Sequence, residues 1–152
     1  MQKLNFDLGL KEYEIGGGVL RFNPGDPNVY ARFAQAGEKL TAVEEQLVAK
    51  ANEYGDDVPG EVVLTLMSEA DQEVKKILTW IFGDHNDFNA IFCGTNVKGV
   101  GSNGERVITN FIHAIQPVVE AGAKKCADQQ VSAAVSNARK NRAQRRAEAR
   151  QQ

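Results

Sequence analysis

Apolar and polar residues alternate at the start of the chain, where every second position is apolar: Leu4, Phe6, Leu8 and Leu10. This is the period of a strand with one buried face. Tyr13 and Ile15 continue the alternation, either as a bent extension of that strand or as a second strand. The three glycines at positions 16–18 permit a tight reversal, and the apolar run that ends at Phe22 forms the returning strand. The pattern therefore predicts an N-terminal β-hairpin.

A longer apolar period follows the hairpin, with residues recurring every three or four positions, and it predicts helices. Asp26 can accept hydrogen bonds from the free N–H groups of a first turn, and Pro27 suits the first helical position. Gly83 fits the position just past a helix end, and Asp87 can cap a short helix. The predicted helices are residues 27–53, residues 59 or 60–82, residues 88–93 and a last helix from about residue 105.

The last predicted helix changes character along its length. Its first part has a wide apolar face that contains Pro117, where we expect a kink because proline removes a backbone hydrogen bond. After Gly122 the apolar stripe thins to small residues, although the composition stays strongly helix-forming. We therefore expect a body over residues 1–122 and a basic extension over residues 123–152, helical or partly disordered, that projects or frays.

These elements define an α+β fold that is mainly α. An N-terminal β-hairpin is followed by a bundle of three to four helices, the last of them long. A hairpin is marginal alone in water and needs a covering element. We expect Val29 and Phe33 of the first helix to cover the apolar face of the hairpin. Its open edges are candidates for pairing with another chain.

Composition places the chain among soluble globular proteins. Its 152 residues suffice for one domain with a core, 42% of them are hydrophobic and 25% are charged. No apolar run approaches the roughly 20 residues of a membrane helix, and acidic residues stand where a signal peptide has its apolar core. Cys93 and Cys126 are too few for a disulfide framework and are expected to be free thiols. We therefore expect a cytosolic protein with no membrane partner.

Charge is distributed unevenly along the chain, although the net charge is only −2. Residues 139–152 hold six basic residues and one acidic residue, a net charge of +5, so the remaining residues carry −7. Such a basic end suits contact with nucleic acid or with an acidic protein surface, and it also suits simple solubility. Arginine-rich helices bind nucleic acid through phosphates, but this segment has no aromatic residue for stacking on bases.

The glycine-rich stretch GVGSNG at residues 99–104 matches G-x-G-x-x-G and precedes a helix, as in dinucleotide-binding folds. The stretch before it is a poor buried strand, and no alternation of strands and helices surrounds it. We therefore favour a flexible or partner-binding loop over a nucleotide site.

Residues with catalytic or metal-binding potential are few. His85 stands among Asp84, Asn86 and Asp87, but four consecutive residues at a turn cannot converge on a metal ion, so turn and cap chemistry is favoured. His113 lies beside an apolar helix face, where packing or exposure is the default. No serine or cysteine has the local signature of a nucleophile, and no carboxylate pair suggests an acid and a base. We expect no enzymatic activity, no cofactor and no metal.

Two stretches of the chain carry a resemblance to a known family. LNFDLGLKEYEI followed by FNPGDPNVYARF forms the first stretch, and ILTWIFGDHNDFNAIFCGTNV followed by ERVITNFIHAIQPVVE forms the second. The second stretch has Phe-Gly at a helix end, a short Phe-containing helix, a glycine-rich loop and a helix with a central Ile-x-Pro. Over residues 2–33 and 77–120 the chain resembles the tail assembly chaperones of long-tailed bacteriophages, especially those of Gram-positive hosts.

The resemblance implies a non-enzymatic assembly factor in the host cytoplasm. Such proteins bind the tape measure protein, keep its long hydrophobic helices soluble, help recruit the major tail protein and are absent from the finished virion. Many occur in a short form and a frameshifted longer form, and the resemblance implies that this chain is the short form or the N-terminal half of the longer one. There are two alternatives: a structural tail or connector component, and a nucleic-acid-binding regulator that uses the basic end.

The surfaces expected to bind partners are the hairpin, the helical stripes and the basic end. We expect the hairpin edges to serve self-association and the helical stripes to capture the partner protein. The candidate partner-binding residues are Phe6, Leu8, Leu20, Phe22, Phe33, Leu40, Trp80, Phe88, Phe92, Phe111, Arg142, Arg145 and Arg146.

Overall fold

The computed structural model describes residues 1–151 and confirms a mainly helical α+β fold. A two-stranded antiparallel hairpin precedes four helices, the last of them 44 residues long. The elements are β1 (Lys11–Ile15), β2 (Gly18–Phe22), α1 (Pro27–Asn52), α2 (Gly60–Phe82), α3 (Phe88–Ile91) and α4 (Val107–Arg150). The α1–α2 connection makes these two helices an antiparallel pair, as contacts such as the one between the Arg32 side chain and the Ile81 carbonyl indicate.

The first strand lies later in the chain than the alternation predicted, so the strand expected over residues 4–10 is wrong. The reversal is a two-residue turn in which Gly16 has a φ of +57°, and it pairs Ile15 with Gly18. A two-residue turn fixes the register of a hairpin. Because β2 ends at Phe22, its partner ends at Lys11, and residues 4–10 have no strand opposite them. They form no regular secondary structure.

Side chains at helix ends explain where the helices begin and end. Asp26 accepts a hydrogen bond from the Asn28 N–H (2.9 Å), with Pro27 in the first turn of α1. Asp87 likewise accepts from the Ala90 N–H (3.1 Å) at the start of α3. Gly83, with a φ of +107°, ends α2. The predicted bounds of α1 and α2 are therefore confirmed to within one residue. Helix α3 is shorter than expected, and α4 begins slightly later than expected.

The core is formed by one face of each helix together with the hairpin. Leu20 and Phe22 of β2 are fully buried, and the Phe22 ring lies 5.0 Å from that of Phe82. The hairpin is therefore covered by α2 and by α3, whose Ile91 carbonyl accepts the Gly17 N–H (3.0 Å), and Val29 and part of Phe33 of α1 belong to the same core. Phe111 brings α4 into this cluster, with its ring 6.2 Å from Phe82 and 5.3 Å from Phe92.

A buried ion pair fixes the loop between α3 and α4. Lys75 Nζ donates to Asp71 Oδ2 (2.9 Å), and both side chains are less than a tenth exposed. Asp71 Oδ1 accepts the backbone N–H of Val97 (2.8 Å), while Lys75 Nζ also reaches the Thr95 carbonyl (3.3 Å). Each charge is therefore compensated, as burial of a charge requires.

Helix α4 continues beyond the body of the protein. It runs without interruption through Pro117 and the predicted boundary at residue 122, as far as Arg150. From Ala127 to Gln151 every residue is exposed. We call residues 127–151 the basic arm; it is helical, and the kink expected at Pro117 stays a prediction. Among residues 1–151, no helix combines the length and the apolar character needed to cross a membrane.

Candidate partner-binding surfaces

The two edges of the hairpin differ in their accessibility. On the outer edge of β2, the Arg21 N–H donates to Asn86 Oδ1 (2.7 Å), and the Arg21 carbonyl accepts from Asn86 Nδ2 (3.0 Å). The buried amide of Asn86 thus takes the place of a third strand. Glu12 lies opposite Arg21 in the register, so its backbone groups face the outer edge of β1. Only the β1 edge is open to another chain, and Glu12 and Glu14 place charge along it, which disfavours unselective pairing.

The N-terminal segment, residues 1–10, presents its apolar side chains to solvent. The exposed fractions are 86% for Leu4, 79% for Phe6, 56% for Leu8 and 47% for Leu10. Asn23 Nδ2 donates to the Leu8 carbonyl (3.1 Å), and Asp7 accepts the Gly9 N–H (2.7 Å). The first bond attaches the end of the segment to the connection between β2 and α1, and the second is internal to the segment. The cover that we expected for Phe6 and Leu8 is absent, so these two predicted residues are free to contact a partner.

Five of the predicted partner-binding residues lie in the core instead. They are Leu20, Phe22, Phe88, Phe92 and Phe111, none of which is more than 8% exposed. In this conformation they hold the hairpin, α3 and α4 together, and they position the surfaces around them without touching a partner.

A groove between α1 and α4 brings together two other predicted residues, Phe33 and Leu40. Both are half-buried, and Ile112 of α4 forms the opposite wall. Tyr30 lines the same groove and was not among the predicted residues. It could have been predicted, because it lies three residues before Phe33 and therefore on the same face of α1. Past Tyr30 the groove continues along Ala123 and Ala127 to the base of the basic arm.

Trp80 lies apart from this groove on the exposed side of the α1–α2 pair. Its side chain is 40% exposed, and Lys39 Nζ stands 4.4 Å from its ring centroid, in the geometry of a cation–π contact. Arg142, Arg145 and Arg146 are all exposed on the basic arm, and the structure does not bring them together with the apolar candidates.

The glycine-rich loop uses its backbone amides internally. The N–H of Gly99 donates to the Asn96 carbonyl, that of Gly101 to Glu105 and that of Gly104 to Gly101. A pyrophosphate site needs such amides free to point at the ligand. The geometry therefore disfavours nucleotide binding at this loop. Within residues 1–151, no group of three histidine, cysteine or acidic side chains is arranged to hold a metal ion.

Glu44 of α1 ties this loop to the body. Its carboxylate accepts hydrogen bonds from Lys98 Nζ and from Arg106 Nη1, the latter at 3.4 Å. The hydrogen bond from Lys98 is the main cause that holds the pKa of Glu44 below its ordinary value of 4.5, and the charge of Arg106 adds to it. The anionic form is thus favoured in the folded protein.

This lowered pKa predicts an acid-sensitive contribution to stability. A carboxyl group whose pKa is lower in the folded state stabilises the protein at pH values above its unfolded-state pKa. This stabilisation is lost as the pH falls through the folded-state pKa. Because Glu44 is 41% exposed, we expect an effect below about 1 kcal/mol. In chemical denaturation, the wild type should have a higher free energy of unfolding than Glu44→Gln near pH 7. This difference should shrink towards about pH 3. A difference that is independent of pH would contradict the role given to Glu44.

The N-terminal segment, the α1–α4 groove and the basic arm are accessible to a partner. The first two lie at the end of the body from which the arm projects, because Asn23, Tyr30 and Ala123 are close together there. No protein-family model, curated protein or solved structure matches this chain.

Proposed function

We propose that this chain is a tail assembly chaperone of a long-tailed bacteriophage. It binds the tape measure protein, keeps the helices of this client soluble and assists polymerisation of the tail tube by the major tail protein. It acts in the host cytoplasm, associates with itself and is absent from the mature virion. It performs no catalysis.

The arrangement of the two stretches that resemble the family supports this proposal. Residues 2–33 supply Tyr30 and Phe33 to one wall of the α1–α4 groove, and residues 77–120 supply Ile112 to the other. The same two stretches meet where Arg21 pairs with Asn86 and Phe22 packs on Phe82. The resembling parts therefore form one continuous structural unit, which is what a shared function would require.

The observation that carries the proposal is the exposed N-terminal segment, which Asn23 holds at the same end of the body as this groove. Four large apolar side chains stand in solvent within seven residues, although burial of each would be worth about 1.5–3 kcal/mol. Contiguous exposed apolar surface of this kind marks an interaction site. A protein that keeps amphipathic helices soluble needs an apolar groove to accept them, and the segment and the groove together supply one.

Co-expression with the client tests the proposal. The soluble fraction of the tape measure protein encoded in the same genome is measured with the wild type and with the double variant Phe6→Asp, Leu8→Asp. We expect the wild type to raise the soluble fraction and the double variant to lose most of this gain, because two charges would have to enter an apolar interface at a cost of several kcal/mol.

Val100→Asp is the matched control, because Val100 is equally exposed (69%) but lies on the glycine-rich loop. Circular dichroism of each variant establishes that folding is unchanged. If the wild type does not raise the soluble fraction of the tape measure protein, the result would contradict the chaperone function. Equal losses with the control would show that the N-terminal segment is not the client surface.

A further inference from the structure

The basic arm is a long helix with no packing partner among the described residues. It is exposed along its whole length, including Val131 (63%) and Val135 (46%). Val131, Val135 and Arg142 follow one another at spacings of four and seven positions, which correspond to one and two helical turns. Apolar and basic residues therefore share one face of the helix. Most helical stability in proteins comes from packing such a face against another element. The arm therefore has a face that lacks its counterpart.

The opposite end of the molecule, where α1 turns into α2, has the complementary character. Residues 51–64 contain four acidic residues and no basic one. Glu53, Asp56, Asp57 and Glu61 are exposed, and none of them takes part in an ion pair within residues 1–151. Exposed apolar side chains stand among them, with Leu64 70% and Tyr54 51% exposed. We call residues 51–64 the acidic end.

The arm cannot reach the acidic end of its own chain. Helix α4 runs antiparallel to α1, because Arg106 contacts Glu44 near one end of the pair while Gly122 lies against the Pro24 carbonyl at the other. The arm thus continues past the start of α1, whereas the acidic end lies beyond the last turn of α1. At 1.5 Å per residue, α1 covers about 37 Å in one direction and the arm about 35 Å in the other.

We propose that the basic arm of one copy of this chain docks on the acidic end of a second copy, so that the chains associate head to tail. Val131 and Val135 cover the apolar side chains around Tyr54 and Leu64, and the arginines pair with the surrounding carboxylates. A contact between two different surfaces of identical chains repeats, and it builds open filaments or closed rings. This deepens the self-association included in the proposed function by naming its surfaces.

Charge reversal on both sides of the contact tests this inference. One variant carries Arg142→Glu, Arg145→Glu and Arg146→Glu, and the other carries Asp56→Arg, Asp57→Arg and Glu61→Arg. Association is measured by sedimentation velocity on nuclease-treated protein. We expect the wild type to associate at about 50 mM salt and to dissociate at about 500 mM, because exposed charge pairs are screened by salt.

Each reversed variant alone is expected to associate at least about tenfold more weakly, because its arm and its acidic end then carry the same sign of charge. An equimolar mixture of the two variants should regain association, since the reversed arm of one matches the reversed end of the other. The control Glu38→Arg, Glu45→Arg, Asp84→Arg makes the same change of charge on exposed residues elsewhere and should associate like the wild type.

Three results would overturn the inference: a wild type that stays monomeric at low salt, a mixture that stays dissociated, and association that the arm variant leaves unchanged. If association is unchanged in the arm variant, and protein purified without nuclease carries RNA in the wild type but not in the arm variant, the arm binds nucleic acid instead. The measurement contains no tape measure protein, so head-to-tail association and the chaperone function can fail separately.

Discussion

Replacing Asp71 with alanine should lower the free energy of unfolding by about 3–5 kcal/mol, because removing one partner of a buried ion pair leaves the other charge uncompensated. Lys75 is 6% exposed and would keep only the Thr95 carbonyl, at 3.3 Å. The N–H of Val97, itself fully buried, would lose its acceptor at the same time. The loop between α3 and α4 would thereby lose its main attachment to α2 and keep only the bonds from Lys75 to the Thr95 carbonyl and from Asn96 to the Met67 carbonyl.

Urea denaturation followed by circular dichroism measures this loss. The double variant Asp71→Leu, Lys75→Met removes both charges and should recover part of the stability, since apolar residues of similar volume often replace a buried ion pair at little cost. Lys76→Ala changes an exposed lysine of the same helix and should stay within about 0.5 kcal/mol of the wild type. If Asp71→Ala is as stable as the Lys76→Ala control, the ion pair does not fix the loop.

Phe111→Ala should cost about 3–5 kcal/mol, the range found when a buried aromatic side chain is truncated in a packed core. Phe111 is 5% exposed, and its ring lies near those of Phe82, Phe88 and Phe92 at centroid distances between 5.3 and 6.2 Å. It joins α4 to the rest of the molecule. The truncation would therefore loosen one wall of the α1–α4 groove as well as the core.

Thermal and urea unfolding of Phe111→Ala and Phe111→Leu measure this effect. The leucine variant keeps most of the apolar volume and should retain more than half of the lost stability. Val135→Ala, on the exposed arm, is the matched control and should change the free energy of unfolding by less than about 0.5 kcal/mol. A wild-type stability for Phe111→Ala would contradict the placement of Phe111 in the core.

The helices could be predicted from the sequence because their signals are local. Asp26-Pro27 and Asp87 act through neighbouring backbone groups, and the apolar stripes of α1 and α2 depend only on helical spacing. The strand at residues 4–10 could not be judged in this way. Its alternation is that of a strand, but the two-residue turn at Gly16 leaves it without a partner, and pairing is a non-local property.

The candidate surfaces were harder to predict, since the same residue type serves the core and the surface. Phe6 and Phe111 both lie in apolar patterns, yet the first is 79% and the second 5% exposed. A pattern identifies which face of an element is apolar, but not whether another element covers it. Asp71 and Lys75 were missed although they flank Val74 on the buried face of α2; a charged pair at i and i+4 on an apolar face was the signal.

The proposed head-to-tail contact and the proposed capture of a client use different surfaces of the molecule. The arm and the acidic end carry the charge, whereas the N-terminal segment and the α1–α4 groove carry most of the accessible apolar surface at the base of the arm. Repeated copies would therefore present a series of apolar surfaces, which suits a client made of long helices. The N-terminal segment stays available in each copy because neither docking surface includes it.

Quantitative mass spectrometry of the phage during tail assembly tests whether this chain is a chaperone. We expect the chain to co-purify with the tape measure protein before the tail tube is complete and to be missing from finished particles. Its presence in mature virions, at a fixed ratio to the major tail protein, would contradict the account and identify a structural tail component instead.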